Sequence, residues 1–144
     1  MKLEYFGVHG RAMPIRMLLN YCNVEFEDSM VDFPTFGKNK AEGKYPMGQV
    51  PVLWTDDGRE LCQTKAILRY LSKEHKGRKG EVLYPAHSDP MVSYKIDAMI
   101  DSVEDVSNTT INFLFAQLPG YKNKDEHFTQ FILNHFPKFL ASLE

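Results

Sequence analysis

The residues of this chain best suited to chemistry are few and far apart. Tyr5 closes the short apolar stretch "KLEYF". A phenol at a strand end is more often a packing residue than a catalytic one. Gln63-Thr64 stands directly before "KAIL". The plain reading is a capped helix start, and the sharper one is a carboxylate site, because free N–H groups and the helix dipole both favour an anion. Arg11 and Arg16 fall on an amphipathic helix, where arginines are normally solvated. Asp97, Asp101, Glu104 and Asp105 line one helix face with carboxylates, the usual form of a solvated stripe. His9, His75, His87, His127 and His135 show no metal-ligand spacing. The chain has no phosphate-cradling glycine loop and no nucleophile elbow. In "GQVPVL", Pro51 brings no N–H to a sheet ladder. It marks a sheet edge, a strand start or a cis turn, or it leaves a neighbouring backbone group unused by the sheet.

The elements that must position these residues follow from periodicity. "KLEYF" and "VEFEDSMVD" alternate as strands, and "GRAMPIRMLLNYC" places Ile15, Leu18, Leu19 and Cys22 at helical spacing with Pro14 in the first turn. "PTFGKNKAEGKYP" is polar and glycine-punctuated, which predicts a loop with one irregular helical turn. Asp57-Gly58, between "VPVLWT" and "RELCQ", predicts a hairpin. "TKAILRYLSKEH" is helical, with Thr64 as its expected N-cap. A linker with two prolines follows, and the strand signals then stop. Val92, Ile96, Met99, Val103, Val106, Thr110 and Phe113 predict one long amphipathic helix. "LPGYKNKDE" breaks it, and a second helix carries Phe128, Phe131, Ile132, His135, Phe139 and Leu140, with Pro137 expected to kink it. The expected organisation is 1–79 as a mixed α/β domain, 80–90 as linker, and 91–144 as a partial all-helical domain.

Composition excludes more than it selects. The 144 residues carry 17 Lys+Arg against 19 Asp+Glu, a net charge of −2 with both signs interspersed. Nothing longer than the basic run Lys76–Lys79 argues for nucleic acid or an anionic membrane. No window approaches a membrane span, and the start lacks the apolar stretch of a signal peptide. Cys22 and Cys62 form neither a framework nor a CxxC motif, so a reducing cytoplasm is the expected home. Cys62, on a predicted strand, reads as buried filler rather than as the thiol of a dithiol oxidoreductase.

Taken in order, "YFGVHGRAMPIRMLLNY", "FGKNK", "PMGQVPVL", "CQTKAILRYL" and "IDAMIDSVEDV" resemble the cytosolic glutathione transferases, nearest the sigma class and next the mu class. The resemblance runs from residue 2 to about residue 110. It implies a thioredoxin-like N-terminal domain of order β-α-β-α-β-β-α, an all-helical second domain and a homodimer. The catalytic tyrosine falls on Tyr5, whose hydroxyl would stabilise the glutathione thiolate, and Arg11 matches an arginine near that sulfur. Phe36 falls where sigma enzymes carry an aromatic, usually Trp. Lys40 matches the lysine on the glycine carboxylate, and Gln49 and Val50 the pair that holds the tripeptide. Pro51 matches the cis proline that turns the Val50 backbone outward. Gln63 and Thr64 match the Gln-Ser step that binds the γ-glutamyl carboxylate. Asp105 matches the acid that reaches from the partner subunit to the γ-glutamyl amine.

Departures from the pattern are the Trp-to-Phe36 change, Thr64 in place of Ser, and two extra residues between Lys40 and Pro51. Family members run to over two hundred residues, so the resemblance implies a chain truncated near the end of the second long helix. Much apolar surface would then need another cover. The expected function is a glutathione transferase acting on small apolar electrophiles, with glutathione as co-substrate and no other cofactor. Hydroperoxide reduction or prostaglandin isomerisation are the expected side activities. The alternative is a non-catalytic relative, crystallin-like, on the same scaffold, or an inactive truncated product.

Overall fold

The computed structural model describes residues 1–85, 89–115 and 124–141. His87 and most of the expected break at 118–126 lie outside the described residues, as do the side chains at 110, 113, 127 and 135. The chain divides into two compact units, Met1–Ser88 and Asp89–Glu144. No helix among the described residues is long and apolar enough to cross a membrane.

The first unit is a thioredoxin-like arrangement. Strand β1 (Lys2–Tyr5) leads through a short 3-10 turn at Gly10–Ala12 into α1 (Met13–Tyr21). Next come β2 (Glu27–Met30), α2 (Phe33–Ala41), β3 (Val52–Trp54), β4 (Glu60–Cys62) and α3 (Thr64–Glu74). The sheet order is β2-β1-β3-β4, with β1 parallel to β2 and antiparallel to β3. The parallel pair needs a crossover, and α1 supplies it, with Pro14 tolerated in its first turn. Leu3 and Tyr5 point to one face of β1, where they join Ile15 and Leu19 of α1, Leu53 of β3, and Ile67 and Leu71 of α3 in one buried cluster. The alternation of a strand sends Glu4 to the opposite face. The β3–β4 hairpin turns through 55–59, where Gly58 takes φ +82° and its N–H donates to the Thr55 carbonyl at 3.0 Å.

The order implied by the resemblance holds here, and the reading from composition fails. The segment read as a loop is a regular nine-residue helix, α2. Asp32 begins it in an extended conformation, and its carboxylate accepts the Thr35 N–H at 2.7 Å. Hydrogen bonds from the Thr35 side chain, and next from its backbone N–H, hold the Asp32 carboxyl below its ordinary value. Pro34 sits in the first turn, where its missing N–H costs nothing. The polar composition that argued for a loop reflects a helix with no fully buried residue of its own.

The second unit is helical. Helix α4 (Pro90–Phe115) begins with the Asp89 carboxylate accepting the Met91 N–H at 2.9 Å. Helix α5 (Lys124–Thr129) runs through a π-helical turn at Gln130–His135 into α6 (Phe136–Ala141). The expected disturbance at Pro137 takes this form. A proline has no N–H for the carbonyl four residues back and clashes with it, and a wider turn just upstream relieves both.

Candidate functional site

Tyr5 ends β1 with its ring buried and its oxygen at the start of the next turn. The phenol oxygen accepts the Arg11 backbone N–H at 3.2 Å. The same residue's carbonyl accepts the Thr64 hydroxyl at 3.0 Å. The main chain of Arg11 therefore ties the end of β1 to the start of α3. Gly10 makes this approach possible: a Cβ there would lie 2.7 Å from the Tyr5 oxygen, and its φ is +36°. Because the phenol oxygen accepts from Arg11, its own proton remains to be donated to a bound atom.

Arg16 departs from the expectation of a solvated charge. Its Nε donates to both carboxylate oxygens of Asp28, at 3.1 and 2.9 Å, and its Nη1 to the Val8 carbonyl at 2.9 Å. The parallel register that sets Asp28 opposite Leu3 makes the reach possible. Arg16 thus fastens the loop between Tyr5 and Gly10 to the sheet.

At the start of α3, Gln63 rather than Thr64 is the N-cap, with Thr64 the first helical residue. Thr64 cannot cap because its hydroxyl is turned to the Arg11 carbonyl. Gln63 takes φ 71° and ψ 109°, and no side chain caps the helix. A non-glycine residue held there costs about 1–3 kcal/mol, a conformation kept where the site needs it. The start of α3 borders a shallow crevice of about 10 Å³. It is lined by Arg11, Gln49, Val50, Pro51, Cys62, Gln63 and Thr64. Cys62 is therefore half-buried wall, not core filler.

The Val50–Pro51 peptide is cis. The β1–β3 ladder ends at Glu4 opposite Val52, so Val50 stands outside it. Gln63 Nε2 lies 3.4 Å from the Met47 sulfur, a weak acceptor that a stronger one would displace. Lys40, exposed on the last turn of α2, packs its stem over Gly48, where an added Cβ would lie 3.3 Å from Lys40 Cε. Its ammonium stands 5.9 Å above the Phe36 ring. Phe36 meets Phe6 edge-on at 5.3 Å, and Phe6 in turn stacks on the exposed Phe33 at 4.6 Å. Tyr5, Arg11, Gln49, Val50, Pro51, Gln63 and Thr64 thus share one locality, with Phe36 and Lys40 on the helix whose end packs against Gly48. Asp105 stands exposed on α4, in the other unit.

Residues 1–73 match the family model described as "Glutathione S-transferase, N-terminal domain". The chain is 31% identical to hematopoietic prostaglandin D synthase of Gallus gallus over 146 residues, covering 99% of this chain and 64% of that protein. Among solved structures, prostaglandin synthase D of Nilaparvata lugens superposes with a TM-score of 0.78 at 30% identity, covering 98% of this chain and 64% of that one. The Fasciola hepatica sigma class GST gives 0.73 at 28% identity, covering 97% and 62%. The chain spans 64% and 62% of the length of the first two curated relatives it matches.

Proposed function

The chain belongs to the glutathione S-transferase family, and from that footing we propose that it is a transferase that binds glutathione in the crevice at the start of α3 and activates its thiol with Tyr5. In this reading the γ-glutamyl carboxylate sits on the first-turn N–H groups of α3, joined by the Gln63 amide in exchange for Met47. The Thr64 hydroxyl is already donated to Arg11, so its backbone N–H serves the ligand. The cysteinyl backbone pairs with Val50 as an added strand, outside the ladder that β3 uses. Lys40 faces the glycine carboxylate, with Phe36 and Gln49 beside the peptide. Asp105 of a second subunit meets the γ-glutamyl amine, which makes the working unit a homodimer.

The chemistry follows from the thiol. Its ordinary pKa of roughly 8.5 leaves only a few per cent ionised at neutral pH, and each unit of depression supplies about 1.4 kcal/mol. A hydrogen bond from the Tyr5 hydroxyl, with Arg11's charge nearby, favours the thiolate. The thiolate then attacks a small apolar electrophile. The sigma class is the nearest fit, and the synthases among the relatives point to a prostaglandin-like endoperoxide as one substrate. A cytoplasmic location suits a thiol-dependent enzyme.

The observation that carries this reading is the double tie through Arg11. It holds a buried phenol, with a proton to donate, against Arg11, a residue that also lines the crevice at an uncapped helix start. The test is Tyr5→Phe. Glutathione affinity should hold within about twofold, while conjugation of a nitro-activated aryl halide falls by about 10²-fold or more. Unchanged turnover would sink the mechanism. A second reading, a glutathione-binding scaffold without turnover, is favoured by the exposed apolar residues of α4 and α6. Retention on immobilised glutathione, with no turnover of any electrophile by the wild type, would decide for it.

A further inference from the structure

Among the described residues, Glu4 is the charged side chain that folding buries, at 4% exposure. It lies on the face of β1 opposite the Leu3–Tyr5 cluster, and a carboxylate there must be matched. The Tyr45 hydroxyl donates to Glu4 Oε1 at 2.6 Å, and the Lys44 ammonium stands 3.6 Å from Oε2. Tyr45 is buried too, and its oxygen accepts from Asn39 Nδ2 of α2 at 3.0 Å. Burial, and next the Glu4 hydrogen bond, raise the Tyr45 phenol above its ordinary value, so it stays a neutral donor. Phe36, three residues before Asn39 on the same helix, stacks on the Tyr45 ring at 5.5 Å and 22°. Lys40 rides over Phe36 and rests its stem on Gly48.

These contacts form one physical chain from the sheet to the crevice: Glu4, Tyr45, then Asn39 and Phe36, then Lys40 against Gly48. Burying a hydrogen-bonded carboxylate is a poor source of stability, since desolvating the charge offsets what its partners return. What it does supply is a fixed position. We propose that the Glu4–Tyr45 pair is a positioning device that sets α2 against the sheet and thereby holds the Lys40 ammonium where the glycine carboxylate of glutathione arrives. Glu4 and Tyr45 touch no substrate and act through Lys40. The inference rests on the glutathione reading of the crevice and adds two residues that it does not include.

The discriminating ligand pair is glutathione and γ-glutamylcysteine, which lacks the glycine. Tyr45→Phe keeps the ring stack and loses both hydrogen bonds. Calorimetry should show glutathione bound about 5–10-fold more weakly and γ-glutamylcysteine unchanged, and the effect should vanish in a Lys40→Ala background. Glu4→Gln keeps an acceptor for Tyr45 and should stay within about twofold of wild type. Asn39→Ala cuts the same tie from the helix side without touching the buried pair, and should reproduce the selective loss if Tyr45→Phe does not fold. Equal weakening of both ligands, no weakening of either, an effect that persists without Lys40, or a Glu4→Gln loss as large as Tyr45→Phe would each overturn the device. A wild type that binds neither ligand would overturn the glutathione reading and the device with it. A wild type that binds glutathione beside an unaffected Tyr45→Phe would overturn the device alone.

Discussion

Helices α1 and α3 in the first unit and α4 in the second are built by the same apolar period, yet they end in different surroundings. Ile15, Leu19, Ile67 and Leu71 are at most 1% exposed, whereas Met99 is 47% and Val103 41% exposed. Among the described residues of 89–144 none is fully buried. A helix stripe stabilises a fold only when a second layer covers it. The sheet is that layer for α1 and α3, and fully burying a Leu or Ile side chain is worth roughly 1.5–3 kcal/mol. The Tyr5 phenol belongs to the covered side, since Tyr5 is itself a member of the buried cluster.

The comparison can be broken by substitution. Leu53→Ala, under both α1 and α3, should cost about 2–5 kcal/mol in denaturant unfolding. A cost below about 1 kcal/mol there would mean the sheet is not the covering layer. Gly10→Ala comes next. Its Cβ would collide with the Tyr5 oxygen at a left-handed backbone position, so a loss of about 1–3 kcal/mol is expected, with turnover falling further than stability. Asp32→Ala tests α2, the helix of the first unit with no fully buried residue. Because the Asp32 carboxyl is held low in the fold, its contribution is complete above the ordinary value near ~3.9 and disappears as pH falls through the lower folded one. Wild type and variant should therefore differ in melting temperature at neutral pH and converge in acid; a gap that widens in acid would contradict the cap. Val103→Ser on α4 should change stability by no more than about 0.5 kcal/mol. A cost matching Leu53→Ala would erase the contrast between the two units.

The sequence was readable where the determinants are local. Period two marked β1 and β2, Asp57-Gly58 marked the hairpin, and the apolar repeat from Val92 marked α4. It misled at α2, where the Asp32 cap and Pro34 outweighed the glycine and the polar run. It misled again at Thr64 and at Arg16, because each side chain is claimed by a group distant in sequence. The ordered segments that resemble the transferases gave Tyr5, Gln49, Val50, Gln63 and Thr64 their expected neighbourhood. Nothing local could mark Glu4 or Tyr45, since a Glu in an alternating strand is ordinarily the solvent-facing residue.

By itself, then, the chain determined which segments curl and which extend, and which residue types stand at the ends of those segments. Those outcomes depend on interactions within a few residues, where propensity and period act directly. Only the tertiary structure decided that the Arg11 peptide joins Tyr5 to a threonine 53 residues further on, and that Tyr45 closes on a carboxylate 41 residues earlier. Such pairings are set by the parallel crossover and the sheet order, which bring the end of β1 beside the start of α3 and fold α2 over the face that carries Glu4.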